Sequence, residues 1–254
     1  MNLGDISKIK VEDIPEHDLF TYSFPCQDLS VAGKQAGLGK GTRSGLLYEC
    51  EKVIEAKKPK YLLLENVKNL VGKKFKAQFD EWLEYLEGLG YTNYWQVLNA
   101  KDYGVPQNRE RVFVVSILGE HKPFEFPQAF ELKKTIFHLL ECNIDNKYLL
   151  SDKCIDKMKR FEPKTISNPN ISPTLTTELA HSTGKNLYPK LCKIIGEYRK
   201  LTPRECFRLM GMRDSDIDKI QEAGISNTQQ YKLAGNSIVV DVLEAIFKNL
   251  FKGE

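Results

Sequence analysis

The segment Ser23-Phe24-Pro25-Cys26-Gln27 places a single cysteine between an apolar run and a glycine-rich stretch. Residues 18–23 read as a short buried strand, and residues at the carboxyl ends of strands in open α/β sheets face the ligand crevice. Cys26 is therefore the candidate nucleophile. A lone cysteine more often packs as a small hydrophobe. Here Gly33, Gly37, Gly39, Gly41 and Gly45 follow it, a density that suits a lid over a site better than a packed connection. In Leu62-Leu63-Leu64-Glu65-Asn66-Val67 an apolar run ends on a carboxylate. Glu65 either caps and solvates a strand end or, partly desolvated and raised in pKa, holds a proton for a substrate nitrogen. Gln107-Asn108-Arg109-Glu110-Arg111 precedes strand-like sequence, and its two arginines alternate, so they are expected to point the same way. They form either solvated ion pairs or a site for a carbonyl oxygen or phosphate.

These residues need a scaffold. Strand-like and helix-like segments alternate over residues 19–24, 45–57, 61–64, 75–89, 94–99 and 111–118, which predicts a parallel sheet covered by helices. Lys58-Pro59-Lys60 and Gly88-Leu89-Gly90 are the expected helix stops. From about residue 119 to 191 the pattern becomes irregular and rich in Lys, Asn, Pro and Thr, which reads as a second, smaller domain. Thr202-Pro203-Arg204-Glu205 then opens a helix with Thr202 as cap, Pro203 at the first helical position and Glu205 completing a capping box. An amphipathic helix over 239–251 closes the chain.

A chain of 254 residues with 41% hydrophobic content can bury a real core, and a net charge of +3 permits a nucleic-acid partner without demanding one. Cys26, Cys50, Cys142, Cys154, Cys192 and Cys206 include no Cys-x-x-Cys pair, which argues against a zinc site and a disulfide framework and for reduced thiols in a cytoplasmic compartment. No apolar run approaches the ~20 residues that span a bilayer. Neither a metal nor a membrane is expected.

Taken in order, Gly4-Asp5-Ile6, Phe24-Pro25-Cys26-Gln27, Arg43-Ser44-Gly45-Leu46-Leu47, Glu65-Asn66-Val67, Gln107-Asn108-Arg109-Glu110-Arg111, the run from Arg199 to Cys206, and Gly235-Asn236-Ser237 resemble the DNA cytosine-5 methyltransferase family over almost the whole chain. The resemblance implies an α/β, class I methyltransferase Rossmann-like sheet with a small, irregular target-recognition domain. Its divisions would be 1–118 for catalysis and cofactor, 119–195 for recognition, and 196–254 for helices returning to the catalytic domain. It implies double-stranded DNA as partner, with tRNA as the alternative substrate, and S-adenosylmethionine as methyl donor. Cys26 would add to C6 of a flipped-out cytosine, Glu65 would hold N3 and the exocyclic amine, and Arg111, with Arg109 beside it, would hold O2. Asp5, Ile6, Pro25 and Leu46 would line the donor, with Asn236, Ser237 and Ile238 opening the final helix toward its amino-acid end. Gln27, Ser30 and Arg43 would touch sugar and phosphate near the flipped base, and Thr174 and Leu175 would belong to the recognition element.

The resemblance starts at the Gly-Asp-Ile motif, so the family's glycine-rich Phe-x-Gly-x-Gly loop has no counterpart in this sequence. The strand around residues 18–24 is accordingly expected to present an apolar edge. Two expectations follow: a split enzyme whose complementary subunit supplies that loop, or a truncated, inactive product. A non-catalytic DNA-binding module is a third, against which Cys26, Glu65 and Arg111 count.

Overall fold

The computed structural model describes residues 2–24, 46–177 and 188–252. The chain divides into two compact units, one formed by Met1–Leu98 with Glu110–Phe126 and the other by Asn99–Arg109 with Pro127–Glu254.

The first unit carries β1 (Leu19–Tyr22), β2 (Tyr61–Val67), β3 (Tyr91–Asn99) and β4 (Glu110–Leu118) in the order β1-β2-β4-β3, with helices α1 (Leu47–Lys57) and α2 (Lys76–Gly88) between them in sequence. β1 runs parallel to β2, as expected, but β4 is antiparallel to β2. The uniformly parallel sheet predicted from alternation is thus corrected to a mixed one. A parallel crossover needs roughly a dozen residues or more, and the connection over residues 100–109 is too short for one, so β4 runs back. Alternate residues Leu62 and Leu64 of β2 and Val112 and Val114 of β4 share a core with Ile54, Phe79 and Leu86. Because β2 is buried on both faces, Leu63 is also inside. Within this core the Trp82 indole donates to the Tyr22 hydroxyl at 3.1 Å. Lys58 ends α1 in the left-handed conformation (φ 44), with its N–H donated to the Ile54 carbonyl. On its other side β1 has no strand partner among the described residues. Residues 2–5 form no strand, and Asp5 instead caps a 3-10 turn at Ile6–Lys8.

In the second unit, short 3-10 turns lead into α3 (Asp152–Lys159), α4 (Tyr188–Ile195), α5 (Pro203–Arg208), α6 (Asp214–Glu222), α7 (Asn227–Asn236) and α8 (Val240–Leu250). The α5 capping box forms as predicted, with Thr202 Oγ1 accepting from the Glu205 N–H and Glu205 Oε2 accepting from the Thr202 N–H. Glu205 does more than cap. Its two oxygens receive Arg199 in a fork at 2.8 and 2.9 Å, and Oε1 also accepts the Glu141 N–H at 2.9 Å. Among the described residues no helix is long and apolar enough to cross a membrane.

Both members of the Arg199–Glu205 pair are almost fully buried, and the other partner of Arg199, Glu197 at 2.9 Å, is exposed, so removing Glu205 leaves a buried charge only partly compensated. We expect Glu205→Ala to cost about 3–5 kcal/mol, measured by chemical denaturation of the full chain, with Glu205→Gln costing less because it keeps the shape and part of the bonding. In α8, burial holds the Asp241 carboxyl above its ordinary range despite Lys134 and Lys248. The folded state therefore binds this proton more tightly than the unfolded chain, and its contribution is full below the unfolded pKa and lost as pH rises through the folded one. Asp241→Asn should raise the melting temperature at about pH 7 and leave it unchanged near pH 3, where the unfolded carboxyl (ordinary value ~3.9) is also protonated.

Candidate active site

β2 continues past the end of β1. Tyr22 pairs with Leu64, the last pair of that ladder, so Glu65 lies one residue beyond it and faces the segment where β1 leads into Ser23 and Phe24. Glu65 is inside β2 rather than at the strand end foreseen from sequence, and it pairs across the antiparallel ladder with Phe113. Arg111, two residues before Phe113, lies on the same face, and its Nε meets Glu65 Oε1 at 3.0 Å. Ser23 Oγ donates toward Glu65 Oε2 at 3.4 Å. A carboxylate that is 7% exposed is thus held between a guanidinium and a hydroxyl. Such a buried carboxylate needs a counter-charge, and Arg111 supplies it. On the opposite face of β2, Asn66 Nδ2 donates to the Phe24 carbonyl at 3.2 Å. This bond fixes the chain two residues before Cys26. Pro25, Cys26, Gln27, Ser30 and Arg43 lie outside the described residues.

Arg109 departs from expectation. It precedes β4, belongs to the second unit and is 4% exposed. Its Nη1 donates to the Leu175 carbonyl at 2.9 Å, and its Nη2 to the carbonyls of Gly235 at 3.1 Å and Ser237 at 2.9 Å. Residues two apart share a face only where both lie in one strand. Since the strand starts at Glu110, Arg109 and Arg111 are not a same-facing pair, and the guanidinium bonded to Glu65 Oε1 is that of Arg111. Leu175 is buried at 1% exposure, so its side chain packs inside the second unit instead of forming a DNA-facing surface. Thr174 Oγ1 donates to the Asn108 carbonyl.

The residues expected at the methyl donor can be tested for chemical fit. Asp5 is exposed, and its Oδ1 accepts from both the N–H and Oγ of Ser7, which lowers its pKa and keeps it a charged acceptor, as an amine partner requires. Ile6 beside it is half-buried against the core, and its turn packs on α1, whose first residue follows Leu46. Asn236 and Ser237 do not open the final helix. Asn236 ends α7, Ser237 is its C-cap, and α8 begins at Val240 behind Val239. Asn236, Ser237 and Ile238 thus join the C-terminus of one helix to the N-terminus of the next, and the Gly235 and Ser237 carbonyls at this turn are taken by Arg109.

Three residues with clear structural roles were given none by sequence reasoning. Ser23 and Asn66 were quoted in motifs, but their partners depend on strand register. Gln107 is fully buried, donates from Nε2 to the Leu209 carbonyl at 2.6 Å, and accepts the Leu175 N–H at Oε1 at 2.9 Å. A glutamine two residues before a buried arginine was the available signal.

The model for C-5 cytosine-specific DNA methylases matches residues 1–252. The type II methyltransferase M2.ScrFI of Lactococcus lactis subsp. cremoris is 48% identical over 259 residues, covering 100% of this chain and 72% of that protein. The type II methyltransferase M.Bsp6I of Bacillus sp. (strain RFL6) is 38% identical over 270 residues, covering 98% of this chain and 84% of that protein. Among solved structures, the S. pombe Dnmt2 methyltransferase superposes with a TM-score of 0.75 at 21% identity, over 98% of this chain and 82% of that one, and so shares the fold. The mixed sheet, the Glu65–Arg111 pair and these likenesses agree: the chain belongs to the C-5 cytosine-specific DNA methylase family, enzymes that transfer a methyl group from S-adenosylmethionine to cytosine C5 in DNA.

Proposed function

We propose that this chain methylates cytosine C5 in double-stranded DNA, with Cys26 as nucleophile and Glu65 and Arg111 as the groups that hold the base. The observation that carries the reading is the buried Glu65, paired with Arg111 at 3.0 Å beside the segment that leads into Cys26. The target base is stacked in duplex DNA and has to be rotated out before a side chain can reach its ring. The Cys26 thiolate adds to C6, and the C5–C6 π pair moves to C5. Glu65, carrying a proton when the base is bound, gives it to N3 from one oxygen as charge builds there and accepts from the exocyclic amine at the other, taking the N3 proton back when Cys26 leaves, while Arg111 donates to O2 as it bonds Glu65. S-adenosylmethionine, when bound, supplies the electrophilic methyl group that C5 takes. Loss of the C5 proton to water restores the C5–C6 double bond, and the C6–Sγ bond breaks to release Cys26.

Asp5 is the acceptor for the donor's adenine amine, with Ile6, Pro25 and Leu46 as apolar lining. Asn236, Ser237 and Ile238 serve the donor's amino-acid end. Gln27, Ser30 and Arg43 serve the flipped nucleotide's backbone, and residues 119–195 carry target recognition in a cytoplasmic enzyme. Thr174 and Leu175 hold the recognition segment from within instead of reading bases. A complementary polypeptide, where one carries the glycine-rich loop, would add at the outer edge of β1, which has no strand partner among the described residues.

Bisulfite sequencing of DNA from cells expressing the chain, with transfer of labelled methyl to duplex DNA and to tRNA in vitro, tests this reading. We expect label in DNA, alone or with the complementary polypeptide, and none after Cys26→Ser. Label in tRNA alone would favour the RNA alternative. Glu65→Gln should lower kcat by about 10²–10⁴ while leaving DNA binding in mobility-shift assays within a few-fold, because the duplex is held mainly through its phosphates.

A further inference from the structure

Arg109 is too far inside the second unit to be spent on solvated charge. Its guanidinium joins two segments distant in sequence: the Leu175 carbonyl on one side, and the Gly235 and Ser237 carbonyls on the other. Gln107 holds the same Leu175 by its N–H, so both main-chain groups of that residue are taken by side chains of one motif. The two segments also touch directly. A Cβ added at Gly235 would stand 2.7 Å from the Thr177 nitrogen and 2.8 Å from the Thr176 carbonyl carbon. Gly235 lies within α7 and has no left-handed φ, so its lack of a side chain serves close approach. Lysine could not replace the arginine, because one ammonium cannot present a planar fork to carbonyls on two sides.

We infer that Arg109 is a positioning residue that ties the recognition segment at 174–177 to the Gly235–Ser237 turn, so that site choice on DNA and affinity for the methyl donor depend on one another. The inference rests on the function proposed above, which assigns the first segment to recognition and the second to the donor. Displacing either segment moves carbonyls bonded to the same guanidinium, and a coupling of this kind acts reciprocally.

The test compares Arg109→Lys with the unaltered chain, assayed with any polypeptide that activity requires. Losing a charge-assisted hydrogen bond corresponds to about tenfold in affinity or more. The expected result is a rise of about that size in KM for S-adenosylmethionine, together with more methylation at off-site cytosines in bisulfite reads and a kcat within about threefold. A fall in kcat with KM and site fidelity intact would place Arg109 at the base and overturn the inference. So would a change in only one of the two properties. If Arg109→Lys does not fold, Gly235→Ala, which leaves the arginine in place and wedges the segments apart, is judged by the same criteria. If the unaltered chain transfers no methyl group, the proposed function fails, and native-state amide exchange still decides the coupling. Protection at the Leu175 and Ser237 amides should fall together in the variant, and a loss at one alone would refute the tie.

Discussion

The segment running through Ser172 to Thr177 has no sheet to satisfy its main chain, and the second unit is organised around that deficit. Ser172 exchanges hydrogen bonds with its neighbours, accepting from the Asn108 N–H and donating to the Pro106 carbonyl, both at 2.8 Å. Beyond it the ladder stops, and Gln107 and Arg109 take over as a side-chain acceptor and donor for Leu175. An unmet buried amide or carbonyl costs about 1–3 kcal/mol, so a recognition segment free of regular structure can be packed only if such side chains replace the missing strand. The same guanidinium then reaches the turn between α7 and α8. One buried polar cluster thereby sets the positions of two segments that no secondary structure connects.

How far the sequence could be read follows from the range of each signal. β2, β4, α1, α2 and the final helix were legible within a few residues, because period-2 and period-3.6 patterns and local stops such as Lys58-Pro59 are written in neighbouring positions. The Thr202–Glu205 box was legible for the same reason, as donor and acceptor are three residues apart. Glu205's bonds to Arg199 and to the Glu141 N–H were not. The second unit resisted reading because its order comes from side chains bonded to distant carbonyls, which leave no period. Strand direction also escaped, since alternation records that strands and helices follow one another but not which way a strand returns. Arg109 and Arg111 show the limit most sharply. Two residues apart and identical in type, they fall on either side of a strand start and of the boundary between units.

The candidate site depends on register in the same way that the second unit depends on polar satisfaction. Glu65 pairs with Phe113, and Arg111 is the diagonal neighbour on that face; diagonal residues on adjacent antiparallel strands are about 7–8 Å apart, within reach of long side chains. A slip of one residue would turn Glu65 to the opposite face and carry Asn66 away from the Phe24 carbonyl. What prevents the slip is apolar: Leu62 and Leu64 with Val112 and Val114 on one side of the sheet, and Leu63 with Phe113 and Val115 on the other, all nearly inaccessible to solvent. No polar group at the site needs to hold the strands in place. The carboxylate is positioned by packing on both faces of β2, and the ion pair with Arg111 offsets the cost of keeping its charge there.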